Sequence, residues 1–296
     1  MEPINRIHHI SAIVGSSQEN VAFYRNVLGL KLIKKTVNFD NPDVYHLYFT
    51  DQDDESDAIM TFFNWENGRL GRKGNGQVGR IAFRIPKGSL EIWKERLGKE
   101  YISFEETTLF NRPTLEFQDV HSLELALVEV DETSKKEHIL GIHGAVLNTA
   151  VPEATVRLLS HHMGLREIDR DDGYVHLETV GEERHHLIVP TKKLDHGRWG
   201  VGTVHHIAWN VPNDEKHVEW QEYLMSQAYD VTEVKDRHYF KAIYMKELGG
   251  VIFEYATEGP GFTIDESSEN LGTNLMLPPM YEFKRDEIEA KLPPIN

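Results

Sequence analysis

Apolar and polar positions recur in one order along the chain: a strand-like run, a stretch of helical period, then further strand-like runs. The first copy opens with Arg6-Ile7-His8-His9-Ile10-Ser11-Ala12-Ile13. Val21, Phe23, Tyr24, Val27 and Leu28 then fall at helical spacing over 18–28, and Gly29 suits the position after a helix end. Runs at 32–37, 45–49 and 58–63 predict three strands. The clearest echo opens with Thr203-Val204-His205-His206-Ile207-Ala208-Trp209. A helix is predicted over 214–227 and strands over 230–235, 239–245 and 251–256, with Gly249-Gly250 turning the chain before the last. Two weaker copies lie between. They open at Gly79-Arg80-Ile81 and at Ile139-Leu140-Gly141-Ile142-His143, with helices predicted over 89–97 and 152–162.

The repeat divides the chain at 1–67, 79–131, 138–191 and 203–262, with a tail over 263–296 that carries one short charged helix at 282–291. A period of this size is one supersecondary unit that the architecture must respect. The order within it predicts an α+β fold of four βαβββ units. At 296 residues the chain is long enough to bury a sizeable core without disulfides.

Charge narrows the partners. Lys plus Arg number 32 and Asp plus Glu 48, a net −16 that repels phosphate backbones, so no nucleic-acid partner is expected. No apolar run approaches the roughly 18 residues of a membrane span, and no leader-like segment opens the chain. The chain has no cysteine, which removes thiolate metal sites, iron–sulfur clusters and cysteine nucleophiles and fits a cytoplasmic location. Self-association is left open.

A Gly74-x-Gly76-x-x-Gly79 motif follows a basic loop and opens a strand, the wrong context for a dinucleotide fold, which needs strand before and helix after. Histidine carries more. There are 16, with four His-His pairs. His161-His162 sits at a helix end, where histidine suits the dipole, and His143 and His185-His186 have no evident partner; these read as structural. His8-His9 and His205-His206 stand at the same place in two copies of one repeat, which favours function. Neighbours on a regular strand point to opposite faces, so one histidine of each pair is expected at a given cavity. Glu254 lies among apolar neighbours in the last strand of the fourth unit, where a carboxylate is costly unless it is paired or bound to metal. Two histidines and a carboxylate on one face form the facial triad of non-haem Fe(II) oxygen chemistry.

These motifs, with Tyr45-His46-Leu47-Tyr48-Phe49, Ile85-Pro86-Lys87-Gly88-Ser89-Leu90, Asp236-Arg237, Tyr239-Phe240 and Gly249-Gly250-Val251-Ile252-Phe253-Glu254, resemble the vicinal oxygen chelate superfamily. Within it the chain is most similar, over nearly its whole length, to the dioxygenases that cleave hydroquinone rings. The resemblance implies that His9, His206 and Glu254 ligate Fe(II). It implies that His8, His205, Arg237 and Tyr244 are catalytic groups around them and that Ser11 contacts substrate, its hydroxyl replacing the threonine of some relatives. The implied partners are a small aromatic substrate and O2.

His9 and His206 are 206 − 9 = 197 residues apart. If they share one ion, units one and four must form one cup-shaped mixed sheet and units two and three another, with the helices outside. Two other functions remain in view: a glyoxalase-like metal-dependent isomerase, and a protein that sequesters aromatic compounds without turnover. Superposing the last strands of units one and four sets Thr61 near the place of Glu254, so a second carboxylate, which a glyoxalase-type site would draw from the other copy, is missing.

Overall fold

The computed structural model describes residues 1–52, 59–134 and 137–295. Ala58, the expected first residue of the 58–63 strand, lies outside them. Unit one runs β1 (Ile7–Val14), α1 (Ser17–Ala22), β2 (Lys31–Asn38), β3 (Asn41–Thr50), β4 (Ile59–Asn64). Unit two runs β5 (Gln77–Ile85), α2 (Leu90–Lys99), β6 (Phe104–Leu109), β7 (Arg112–Gln118), β8 (Glu124–Glu129). Unit three runs β9 (Gly141–Asn148), α3 (Pro152–Arg157), β10 (Arg166–Arg170), β11 (Tyr174–Glu178), β12 (His186–Pro190). Unit four runs β13 (Thr203–Val211), α4 (Asp214–Ser226), β14 (Lys235–Asp236), β15 (Lys241–Lys246), β16 (Ile252–Thr257), and the tail ends in α5 (Arg285–Lys291). No helix among the described residues is long and apolar enough to cross a membrane.

The units pair as expected, one with four and two with three. One eight-stranded sheet has the order β14-β15-β16-β13-β1-β4-β3-β2, the other β10-β11-β12-β9-β5-β8-β7-β6. In each, the opening strands of two units meet antiparallel at the centre, and each lies parallel to its own unit's last strand.

Burial follows the two-residue period of the strands. On β16, Phe253 and Tyr255 join the large core beneath the helices, where Trp220 of α4 stacks on Tyr255 at 5.3 Å. Glu254 and Ala256 alternate with them and face the other way, where Ala256, Ala208 and Ala242 join Tyr48 and Phe240 in a separate apolar lining. The second cup has its own lining around Ala82, Phe110 and Ala126. Phe110 and Asn111, both at positive φ, turn the β6–β7 hairpin and drive the Phe110 ring onto His143, His176 and His186.

The expected strand at 230–235 is largely absent as a ladder. Thr232 instead accepts from the Tyr244 amide through its hydroxyl and donates its own amide to the Tyr244 carbonyl, so pairing is confined to Val231 and Lys235–Asp236. The helices at 18–28 and 152–162 are α-helical for one half each and finish as π turns at Phe23–Val27 and Leu158–His162. The Gly74–Gly79 motif serves the joint between linkers: Asn75 pairs with His196, and a side chain on Gly74 would strike the Asp195 carbonyl.

Candidate metal centre

The expectation of one inward histidine per pair holds for His8-His9, of which only His9 lines the cavity of the site, and fails for His205-His206, which both line it. The β1–β13 ladder skips a residue at His8 and again at His205. A bulge sets two residues against one and bends the strand, so alternation fails locally. Both rings of each pair come together: His8 Nδ1 is 2.8 Å from His9 Nδ1, and His205 Nδ1 is 2.7 Å from His206 Nδ1. His205 and His206 line the same cavity.

Ligation through Nε2 requires the Nδ1–H tautomer of His9 and of His206, and in that tautomer each Nδ1–H donates to its neighbour while both Nε2 lone pairs point inward. The Nε2 atoms stand 3.1 Å apart, and Glu254 Oε2 lies 3.4 Å from that of His9 and 2.9 Å from that of His206. Despite this proximity, neither Glu254 oxygen accepts a well-directed hydrogen bond, and the residue is wholly buried. Burial would raise the Glu254 carboxyl pKa, but the His9 and His206 rings hold it well below the ordinary carboxylate value. Ligands about 2.1 Å from one ion stand roughly 3.0 Å apart at right angles and roughly 3.4 Å apart at tetrahedral angles. The donor set, its spacing and its unmet lone pairs therefore fit a divalent cation, and this is the one such cluster found among the described residues.

The three groups open onto a cavity of about 300 Å³, the small end of the range for ligand sites and suited to a single ring. Arg237 and Tyr244 line it: Arg237 Nε donates to the Tyr244 hydroxyl at 3.2 Å, and Nη2 reaches Asp40 at 3.1 Å across the unit-one rim. Burial and then the Glu254 charge push the Tyr244 hydroxyl pKa well up, with Arg237 opposing. Burial, then His206, lowers His205 to about 3, so its ring is neutral at physiological pH. Trp199 lies against that ring at 5.2 Å.

His8 and Ser11 stand elsewhere. His8 lines a neighbouring pocket with Arg6, Tyr239 and Glu258, and it meets the centre through His9. Burial, then His9, holds its pKa well below the ordinary value. Ser11 is fully buried behind the wall, hydrogen-bonded to Thr61 at 2.6 Å. Two residues given no role above, His46 and Tyr48, do line the cavity, with Phe63 and Phe240 as apolar walls. Their signal was the spacing i, i+2 on a predicted strand, which sets both on one face.

The chain is matched twice by the profile of the Glyoxalase/Bleomycin resistance protein/Dioxygenase superfamily, over residues 6–138 and 138–255. It is 42% identical over 300 residues to MhqO of Bacillus subtilis strain 168, provisionally named a ring-cleaving dioxygenase, covering 98% of this chain and 96% of that one. A crystal structure of a provisionally named dioxygenase from Bacillus subtilis superposes with TM-score 0.95 at 40% identity, covering 100% of this chain and 99% of the other. The chlorohydroquinone/hydroquinone 1,2-dioxygenase of Sphingobium indicum is 28% identical over 307 residues, 97% of this chain and 95% of that one. With the profile spanning both halves and the bacterial relatives aligned end to end, this chain belongs to the glyoxalase/bleomycin resistance protein/dioxygenase superfamily, the vicinal oxygen chelate proteins.

Proposed function

We propose that the protein is an Fe(II)-dependent, extradiol-type dioxygenase that opens a hydroquinone-type ring with O2. The observation that carries this reading is the buried three-ligand face of His9, His206 and Glu254, with both carboxylate oxygens unmatched by hydrogen bonds, open to a ring-sized cavity. The names of the relatives favour the same chemistry. When bound there, ferrous iron supplies open coordination positions and redox reactivity toward O2.

The chain's own residues do the rest. His205, neutral and accepting from His206 at Nδ1, carries its proton on Nε2, from which it donates to a substrate oxygen. Arg237 places a fixed positive charge beside Tyr244 at the cavity wall, where it offsets negative charge gathering on the substrate. Tyr244 receives the Arg237 hydrogen bond and keeps its own proton to orient a ring oxyanion. Phe63 and Phe240 exclude water. Both atoms of O2 end in the product, and one ring carbon–carbon bond beside a hydroxyl-bearing carbon is broken.

Anaerobic loading with Fe(II), then addition of air and either hydroquinone, catechol or a glutathione–methylglyoxal adduct, tests the reading. Oxygen uptake with loss of the aromatic absorbance is expected with hydroquinone and less with catechol. Isomerisation of the adduct without oxygen uptake would replace this reading with the glyoxalase one, and tight binding of the phenols without reaction would replace it with sequestration.

A further inference from the structure

One wall of the cavity is backed by a hydrogen-bonded chain that the roles above leave unused. The Tyr48 hydroxyl lies 2.9 Å from His46 Nδ1, His46 Nε2 lies 2.9 Å from Thr61 Oγ1, and Thr61 Oγ1 lies 2.6 Å from Ser11 Oγ. Thr61 and Ser11 are fully buried, and Ser11 makes no other side-chain hydrogen bond among the described residues. Only Tyr48 and His46 reach the cavity.

Such a chain has two polarities. With protons pointing toward Ser11, Tyr48 donates to His46, His46 to Thr61 and Thr61 to Ser11. The serine O–H is then left over in a sealed interior, at a cost of about 1–3 kcal/mol. With protons pointing the other way, Ser11 donates to Thr61, Thr61 to His46 Nε2, and His46 Nδ1–H to the Tyr48 oxygen. The one donor left over is then the Tyr48 O–H, at the cavity. Burial selects the second arrangement, because it leaves the unmet donor where a ligand can meet it.

The internal symmetry of the cup supports a substrate-facing role. Tyr48 is registered opposite Thr61 on the neighbouring strand, as Tyr244 is opposite Glu254. The Tyr244 hydroxyl is engaged by Arg237. Its counterpart in unit one is engaged only from behind. We propose that Tyr48 donates a hydrogen bond to the second oxygen of a para-oxygenated phenol, with Ser11, Thr61 and His46 as positioning residues that fix the direction of its proton. This deepens the hydroquinone reading and rests on it.

The test is equilibrium binding to the Fe(II)-loaded protein without O2, by titration calorimetry. Three probes are compared: hydroquinone, 4-methoxyphenol, whose far oxygen can only accept, and 4-methylphenol, which has no far oxygen. A donating Tyr48 gives both oxygenated phenols an advantage over 4-methylphenol. Tyr48→Phe should weaken these two about 5- to 10-fold, the worth of one hydrogen bond, and leave 4-methylphenol unchanged. Thr61→Val, which cuts the chain behind His46, should shift the ratios in the same direction, and Thr61→Ser should restore them. Equal weakening of all three probes by Tyr48→Phe means a merely structural role and overturns the proposal, as does an unchanged ratio. If only hydroquinone enjoys the advantage, Tyr48 accepts rather than donates, and the proposed polarity is wrong. Binding with the expected ratios but no oxygen uptake on adding air would sink the dioxygenase reading while leaving the Tyr48 contact standing; no phenol binding at all would sink both.

Discussion

Thr61 occupies in unit one the place that Glu254 occupies in unit four. Two residues beyond His9, Ser11 lies opposite Thr61 on the parallel neighbour strand; two residues beyond His206, Ala208 lies opposite Glu254. The cup therefore has a pseudo-twofold in which the histidines repeat and the carboxylate does not. A hydroxyl tied to Ser11 and His46 stands where a fourth ligand would be.

Thr61→Glu should supply that ligand. A carboxylate at this fully buried position is costly without a counter-ion, so the metal-free variant should melt well below the parent. Added Zn(II) should raise its melting temperature more than the parent's, and Thr61→Gln should not be rescued. Oxygen uptake should be lost with the open position. A Thr61→Glu protein indifferent to Zn(II) would contradict the equivalence.

Glu254→Ala should lower bound metal from about one ion per chain to near zero, measured by elemental analysis after dialysis. His143→Ala should leave metal content unchanged, because His143 is stacked on His186 in the other cup. Full metal and activity in Glu254→Ala would remove the triad.

Arg237→Ala should cut the rate by about 10²–10³, the usual effect of deleting one preorganised group at a developing anion, with metal content retained. Loss of metal in parallel with rate would assign Arg237 to holding the centre together.

Phe110→Ala should destabilise the fold by about 3–5 kcal/mol in urea unfolding, the cost of emptying an aromatic site in a packed interior. Its ring fills the second cup and touches three histidines there. Metal content should not change.

Acid should weaken the protein well above the carboxylate range. Burial, chiefly, lowers His186 and His205 to about 3 in the folded state, against about 6.5 when unfolded. The unfolded chain then binds more protons, so stability rises with pH, is fully present above about 6.5 and is lost progressively as pH falls toward 3. At pH 5 these two groups alone should bind roughly two protons on unfolding, measurable from calorimetry in buffers of different ionisation enthalpy. Unfolding that is pH-independent between 6.5 and 4.5 would show that the rings are not held neutral.

The sequence by itself determined the four βαβββ units, because strand and helix periods and turn glycines are local signals. It also singled out Glu254, because a carboxylate between Phe253 and Tyr255 is expensive wherever that strand is buried. It could not determine the arrangement of the histidine pairs. Their bulges are properties of the β1–β13 ladder, formed between strands almost two hundred residues apart, and a strand read alone shows only regular alternation. The same limit hid the second cup's Phe110 plug, the Asp40–Arg237 contact between units one and four, and the buried chain from Ser11 to Tyr48. Each depends on the register and packing of segments distant in sequence, and only the tertiary structure decides which side chains meet and which hydroxyl is left facing the cavity.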